Sequence, residues 1–263
     1  MGLFDDVWTT EWTPAAIVLG IQTVLIILTA VTFLSHQTDS FYDNEPHTKK
    51  VMNYPMEFFM GAGFLAWATG MTGALITGGA QLMCLLQQIP MAYFTYYHYI
   101  GQQHGAKITS VILNVVIGLI MIICALVSPP TVYSTVWNPA ACFLAFQTFL
   151  IGMTGLTLMI SADGFYKMEP HTMAMMNDHP NAEDVDPKTL TKYAEMFAGG
   201  SMLAWTMCLV VTIVAGGAAD MCIMQLLPMS LYTYYHFKGG HLPGAIVNLV
   251  FMAILTICAF ISF

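Results

Sequence analysis

Long apolar segments alternate with short polar ones along the chain, and this alternation predicts its secondary structure. Eight apolar segments lie near 14–34, 55–77, 80–98, 108–128, 139–160, 193–215, 218–236 and 244–263. A helix of about 20 residues is long enough to cross roughly 30 Å of hydrocarbon. The segments lack the strict alternation of barrel strands, and only helices or closed barrels satisfy the backbone in lipid. The pattern predicts an all-α integral membrane protein with eight transmembrane helices.

The polar residues of the chain recur in a second copy. FYDNEPHT at 41–48 returns as FYKMEPHT at 165–172, and TYYH at 95–98 returns at 233–236. A longer stretch, VWTTEWTPAAIVLGIQT, also returns 125 residues later as VYSTVWNPAACFLAFQT. Hydrophobic selection alone would not repeat the polar positions.

The repeat predicts two tandem four-helix units, residues 1–130 and 131–263, with a polar loop insertion at about 161–192. Four spans per unit is an even number, so both units would enter the membrane in the same direction. Such units are related by a pseudo-two-fold axis along the membrane normal.

Composition and charge support the membrane assignment and predict its sidedness. Charged residues make up 8% of the chain, against roughly 25% in soluble domains. The chain has no arginine, and its seven lysines all lie in loops that follow odd-numbered spans. By the positive-inside rule these loops are cytoplasmic, and both termini face the opposite side.

The negative net charge of the chain also limits the classes of molecule that it can bind. A net charge of −8 without a basic patch excludes nucleic acid as a partner. The expected partners are membrane lipids, together with other membrane subunits or a second copy of this chain. Bound lipid is the expected cofactor, and a metal ion is the alternative.

Repeated glutamate, histidine and tyrosine residues are expected to gather at the lysine-bearing boundary of each half. The candidates for ligand or metal binding are Glu45, His47, Glu57, Tyr97, His98, Glu169, His171, Glu195, Tyr235 and His236. Imidazole and carboxylate groups that converge on one point can bind a metal ion, which makes His47, Glu57 and His98 one candidate set. The same groups could instead relay protons, or serve as a helix cap and an interfacial aromatic belt.

A second polar set lies deeper within the apolar segments. It comprises Gln22, Gln87, Thr95, Asn114, Gln147, Gln225, Thr233 and Asn248. Gln87, Thr95 and His98 share one helical face, which should point into the bundle because lipid would leave these groups unpaired. Hydrogen bonds between helices are the simplest role for this set. Pro90 and Pro228 should bend the helices that contain them.

Each half resembles the MAPEG superfamily, the four-span membrane proteins that include microsomal glutathione transferases. The resemblance lies in the four-span layout, in Glu45, Asn53 and Glu57 of EPHTKKVMNYPME, and in GGAQLMC before an aromatic-rich span. It implies a helical bundle and a lipophilic ligand at the cytoplasmic boundary. The family holds glutathione with arginines, which this chain lacks, and the second half has no equivalent of Asn53.

Three function classes follow from the sequence. The neutral character of the intramembrane polar groups favours a non-enzymatic structural or accessory subunit of a membrane assembly. A transporter or channel would have its path between the halves, lined by Gln87, Thr95 and His98 and their copies. A MAPEG-like membrane enzyme or binding protein would act on a lipophilic molecule at the boundary.

Overall fold

The computed structural model describes residues 11–182 and 185–263, so the start of the first repeat and two positions of the predicted insertion lie outside it. The described part contains fourteen α-helices and no strand. Six of the helices are long: α1 (Pro14–Leu34), α4 (Tyr54–Ile76), α7 (Ile108–Val127), α8 (Pro139–Ile160), α11 (Pro187–Val214) and α14 (Leu242–Phe260). All six are long and apolar enough to span a membrane, which confirms a multi-pass integral membrane protein.

The two remaining predicted spans are not single helices. The first divides into α5 (Ala80–Leu86) and α6 (Gln88–Gly101), and the second into α12 (Ala218–Met224) and α13 (Leu226–Lys238). Each division falls three residues before a proline, Pro90 or Pro228. Proline has no N–H to donate to the carbonyl four residues earlier, so the hydrogen-bond ladder is interrupted there. The described residues thus contain six long apolar helices, and the two other predicted segments are interrupted close to Pro90 and Pro228, where the sequence predicted bends.

The loops that carry the EPHT motifs are themselves helical. Pairs of short helices lie there: α2 (Asp39–Asn44) and α3 (Pro46–Val51) in the first half, α9 (Asp163–Met168) and α10 (Pro170–Asn177) in the second. Part of the predicted insertion lies in α11, which begins at Pro187 and has 28 residues against the 23 of α4. Asp186 caps α11 by accepting a hydrogen bond from the Thr189 amide at 3.1 Å.

The two most buried long helices, α4 and α11, form the centre of the molecule. In their most apolar windows 72% and 78% of the residues are buried, against 17–28% for the other four long helices. Helix α1 packs along α4, and α8 packs along α11. The outer faces of α1, α7, α8 and α14 expose large apolar side chains, as expected for helices that face lipid.

Small residues allow the two central helices to approach each other closely. A Cβ atom placed on Gly70 of α4 would overlap the Cys208 side chain of α11. Towards the loop end of the same interface, Phe197 packs edge-on against Phe64 and Phe94. Helices α6 and α13 also cross between the halves, since α6 contacts α11 and α13 contacts α4. The interface between the halves is thus a packed core.

Candidate metal centres

The second half brings one carboxylate and three imidazoles to a single point. We call Glu169, His171, His236 and His241 the four-ligand cluster. The Glu169 Oε2 atom lies 3.5 Å from His171 Nδ1, 3.3 Å from His236 Nδ1 and 3.2 Å from His241 Nδ1. His236 Nδ1 also lies 3.1 Å from His171 Nε2. One ligand atom from each of the four residues falls within 4.8 Å of all the others.

The first half contains a related but smaller group, Glu45, His47 and His98, which we call the three-ligand cluster. The Glu45 Oε2 atom lies 3.0 Å from His98 Nδ1 and 3.4 Å from His47 Nδ1, and His98 Nδ1 lies 3.3 Å from His47 Nε2. The other carboxylate oxygen, Oε1, accepts a hydrogen bond from the Ser110 hydroxyl. His47 is fully enclosed, with 1% of its surface exposed.

The two repeated motifs explain how each cluster is assembled. In EPHT the glutamate lies between two short helices. The proline is the first residue of the second short helix, and the histidine is its second residue. The threonine hydroxyl contacts the tyrosine next to the TYYH histidine, with Thr48 3.3 Å from the Tyr97 hydroxyl and Thr172 3.2 Å from that of Tyr235. Both motifs therefore supply ligands. The contact between the EPHT threonine and the TYYH tyrosine fixes the position of one motif relative to the other.

A glycine at the end of each interrupted helix makes room for the buried imidazole. A Cβ atom on Gly101, the last residue of α6, would collide with the His47 ring. A Cβ atom on Gly239, directly after α13, would collide with the His171 ring in the same way. These close approaches are open only to glycine, which has no side chain.

The electrostatic environment keeps the buried imidazoles neutral and the carboxylate charged. Burial lowers the pKa of His47 to about 4 and that of His171 to about 4, because the charged imidazolium is poorly solvated there. Burial by itself would raise the pKa of Glu45, but His98, Ser110 and His47 outweigh it and the pKa lies below its ordinary value. Neutral imidazole and ionised carboxylate are the protonation states that bind metal ions.

Several of these converging atoms lack a hydrogen bond of good geometry. Glu45 Oε2, His47 Nδ1, Glu169 Oε2, His171 Nδ1 and His241 Nδ1 are all buried without one among the described residues. A buried polar atom without a hydrogen bond is costly unless something else satisfies it. A metal ion would satisfy these atoms together, because it accepts lone pairs from every side.

The distances from each carboxylate oxygen to the imidazole nitrogens match a metal site, and the complete donor set of each cluster lies within 4.8 Å. Nitrogen and oxygen ligands lie about 2.0–2.2 Å from Zn²⁺, so neighbouring ligands of a tetrahedral ion are about 3.3–3.5 Å apart. The measured separations from Glu169 Oε2 are 3.2–3.5 Å, and those from Glu45 Oε2 are 3.0–3.4 Å. The donor set, imidazole with one carboxylate, suits Zn²⁺, Fe²⁺ and related transition metals.

Glu57 and Glu195 lie elsewhere, although the sequence grouped Glu57 with His47 and His98. Glu57 accepts hydrogen bonds from the Thr38 and Tyr42 hydroxyls, and its Oε2 lies 2.6 Å from His36 Nδ1. Glu195 accepts a hydrogen bond of 2.7 Å from Tyr166 and lies 3.6 Å from Lys192 Nζ. The carboxylate that meets the histidines is the EPHT glutamate instead.

The deeper polar residues form hydrogen bonds inside the first bundle. Gln87 accepts a hydrogen bond from Trp67 Nε1 at 3.1 Å, and its amide nitrogen donates to Gln22 Oε1 at 3.1 Å. The Thr95 hydroxyl donates to the Met91 carbonyl of its own helix at 2.7 Å. Asn114 is half-buried on α7. Gln87 and Thr95 thus form these hydrogen bonds within the first half.

The second bundle repeats only part of this network. Trp205 Nε1 donates to Gln225 Oε1 at 2.8 Å, as its counterpart does in the first half. The Thr233 hydroxyl donates to the Met229 carbonyl at 2.7 Å. Gln147, however, accepts no hydrogen bond from Gln225. The Gln147 side-chain nitrogen faces the Met229 sulfur at 3.4 Å, and Gln147 Oε1 is buried without a partner among the described residues.

Two residues of the EPHTKKVMNYPME segment, Asn53 and Glu57, form hydrogen bonds within the protein. Asn53 caps α4 by accepting a hydrogen bond of 2.7 Å from the Met56 amide. Its side-chain nitrogen donates to the carbonyls of Met175 at 2.8 Å and Asp178 at 3.0 Å, which ties α4 to the loop of the second half. Together with the contacts of Glu57, these bonds occupy both residues within the protein.

Comparison with family models, curated proteins and solved structures found no match to this chain. The function must therefore be inferred from the geometry of the two clusters.

Sequence reasoning missed His241, Ser110 and His36 as contributors to these groups. His241 lies in a GGHLPG segment, and the first half has GQQHGAK in the corresponding region. The one available signal was that a histidine follows TYYH closely in both halves, at His104 and His241. In the structure His104 stacks edge-on with Tyr193 at 5.4 Å, so only His241 joins a cluster.

Proposed function

We propose that this chain is a membrane-embedded metal-binding protein that holds one transition-metal ion in each half. The observation that carries the proposal is the convergence of Glu169, His171, His236 and His241, whose ligand atoms lie within 4.8 Å of one another. Its recurrence as Glu45, His47 and His98 makes a chance cluster of ion pairs a poor explanation.

The two proposed sites differ in how fully the protein surrounds the ion. Four protein ligands complete a tetrahedral shell, whereas three leave one position for water or another ligand atom. The four-ligand cluster would complete the shell, and the three-ligand cluster would leave the fourth position open. We therefore expect a firmly held ion in the second half and a more exchangeable one in the first.

The membrane arrangement that accompanies this proposal has eight crossings in two like units. From Ala80 to Gly101 the interrupted pair α5–α6 is about 33 Å long at 1.5 Å per residue, which is enough to cross the hydrocarbon. The pair α12–α13 has nearly the same length. The matching contacts α1–α4 and α8–α11 support a tandem repeat about a pseudo-two-fold axis. In this arrangement both metal sites lie on the lysine-bearing, cytoplasmic side.

Metal analysis of the purified protein tests the proposal. The protein in lipid nanodiscs is stripped with a chelator, reloaded with Zn²⁺ and freed of excess metal, and its metal content is measured by mass spectrometry. We expect two equivalents for the wild type and about one for either Glu45→Gln or Glu169→Gln. Glu57→Gln is the matched control, since Glu57 lies outside both clusters, and it should retain two.

The outcome that contradicts the proposal is equally definite. A wild type that binds no metal after separate reloading with Zn²⁺, Fe²⁺ and Co²⁺ would exclude both sites. Equal metal content in all three variants would show that the ions bind elsewhere. Retention volume in gel filtration checks that each variant is folded before the metal is counted.

The structural-subunit hypothesis remains a second candidate because the outer helices expose broad apolar faces. Both lipid and partner subunits could cover such faces. Native mass spectrometry of protein gently extracted from its own membrane would test it, with fixed partner subunits as the supporting result and a bare chain as the contrary one.

A further inference from the structure

A cavity of about 250 Å³ lies inside the second half and reaches the four-ligand cluster. Glu169 and His236 line one end, and Gln147 and Asn248 line the deeper part. Met229 and His236 both line it and lie seven residues apart on α13, or about 10 Å along the helix. The cavity therefore extends from the loop end of the bundle towards the middle of the membrane.

The walls of the cavity are mostly apolar. Leu150, Ile151, Phe165, Met202 and Phe251 contribute most of the hydrocarbon and aromatic surface. Val247, which also lines it, is half-exposed on the outer face of α14. A molecule dissolved in the bilayer could thus enter sideways, between α8 and α14, without passing through water.

One buried acceptor in this cavity lacks a donor. Gln147 is 1% exposed, and its Oε1 has no hydrogen-bond partner among the described residues. The Gln147 amide nitrogen faces the Met229 sulfur at 3.4 Å, and the sulfur can accept but not donate a hydrogen bond. An unmet carbonyl in an apolar cavity is costly, and a ligand with a hydroxyl or amide N–H would remove that cost.

The first half provides an internal comparison. At the corresponding position Gln22 Oε1 accepts a hydrogen bond of 3.1 Å from Gln87 Nε2. In the second half the equivalent nitrogen of Gln225 faces the Met221 sulfur at 3.1 Å instead. Gln22 and Gln87 are therefore hydrogen-bonded to each other in the first half. In the second half the equivalent pair, Gln147 and Gln225, is not, and Gln147 Oε1 has no donor among the described residues.

We infer that this cavity binds a small lipid-soluble molecule whose hydroxyl or N–H group donates to Gln147 Oε1, with its apolar body packed against Leu150, Ile151 and Phe251. A cavity of about 250 Å³ is slightly smaller than the roughly 300–1,000 Å³ typical of ligand pockets, which favours a short molecule. The ligand is accordingly a short amphiphile, such as a medium-chain alcohol or a phenol. The cavity adjoins a proposed metal site, but its hydrogen bond to Gln147 does not depend on the metal.

A brominated alcohol tests the inference because bromine quenches the fluorescence of a tryptophan it touches, and Trp205 lines the cavity. The protein in nanodiscs is titrated with 8-bromooctan-1-ol and, separately, with 1-bromooctane, which has no donor. We expect saturable quenching by the alcohol, and about tenfold weaker binding in Gln147→Met, which loses one hydrogen bond at similar side-chain size. Gln22→Met is the matched control and should bind as the wild type does.

A second variant and a chelator separate the possible failures. Ile151→Phe should fill the cavity and abolish saturable quenching even if Gln147→Met folds poorly. Repeating the titration after chelation distinguishes this inference from the metal proposal: retained, Gln147-dependent binding supports the cavity whether or not a metal is present. Quenching that rises linearly and equally in wild type, Gln147→Met and Ile151→Phe would show mere partitioning into lipid and overturn the inference.

Discussion

At the scale of single residues, the repeated glutamates Glu57 of α4 and Glu195 of α11 each bind a tyrosine from a loop to a central helix. Tyr42 and Tyr166, from the two FY pairs that precede EPHT, donate to Glu57 and Glu195. Burial and these carboxylates raise the pKa of both tyrosines well above the ordinary value. Their neutral hydroxyls therefore remain hydrogen-bond donors at any physiological pH.

Removing one of these hydroxyls should destabilise the fold without affecting the metal. We expect Tyr42→Phe and Tyr166→Phe each to lower the free energy of unfolding by about 1–3 kcal/mol, the typical cost of losing a hydrogen bond to a charged group. Thermal unfolding in detergent measures this change. Tyr99→Phe is the control, since Tyr99 is 62% exposed and should change stability little. Loss of a zinc equivalent in Tyr42→Phe would instead link Glu57 to the metal site.

At the scale of elements, the end of each interrupted helix packs closely against a histidine ring from a short loop helix. Gly101 ends α6 against the His47 ring of α3, and Gly239 follows α13 against the His171 ring of α10. The distance between helix end and ring is thus as important for the cluster as the ligands themselves.

Adding a methyl group at these glycines should remove a metal ion although no ligand is altered. We expect Gly101→Ala to lower the zinc content of the first half and Gly239→Ala that of the second, each by up to one equivalent. Gly164→Ala is the control, because a Cβ atom there meets nothing within 4 Å. Unchanged zinc content in both glycine variants would mean that the rings can move without losing the ion.

The pattern of apolar residues predicted α1, α4, α7 and α8 to within one residue, and Thr13, Asn53 and Asn138 cap three of these helices close to a proline. It missed the first six residues of α11, most of which are polar. Pro90 and Pro228 predicted bends in spans 3 and 7, and the structure interrupts both helices three residues earlier, at Gln87 and Gln225. Of the residues that meet in the two clusters, all but His241 belong to EPHT or TYYH. The pairing of His47 with Glu45 rather than Glu57 depends on the turn at Glu45, which no spacing rule reveals.

At the scale of the whole molecule, the proposed topology places the Lys49 loop and the Val132 segment on opposite sides of the membrane. Lys49 is exposed, and Val132 is 95% exposed. We expect a membrane-impermeant maleimide added to intact cells to label Val132→Cys, and to label Lys49→Cys only after the membrane is opened. All six native cysteines lie within helices, but Cys142 is exposed near the start of α8, so the wild type is labelled in parallel and its signal is subtracted.

The reverse labelling pattern would contradict the positive-inside orientation. Labelling of both cysteines from the same side would contradict eight crossings, because an odd number of spans, three, separates the two positions in that topology.

The packed interface of α4 and α11 has a consequence for biosynthesis. Helix α4 ends at Ile76 and α11 begins at Pro187, so about 110 residues are made between them. At roughly 5–20 residues per second, the small-residue face of α4 waits on the order of ten seconds for its partner. During that interval the nascent chain presents a surface shaped for another helix to whatever surrounds it in the membrane. The insertion machinery must shield this face until the second half arrives, and a slow codon or a truncated chain would leave it uncovered.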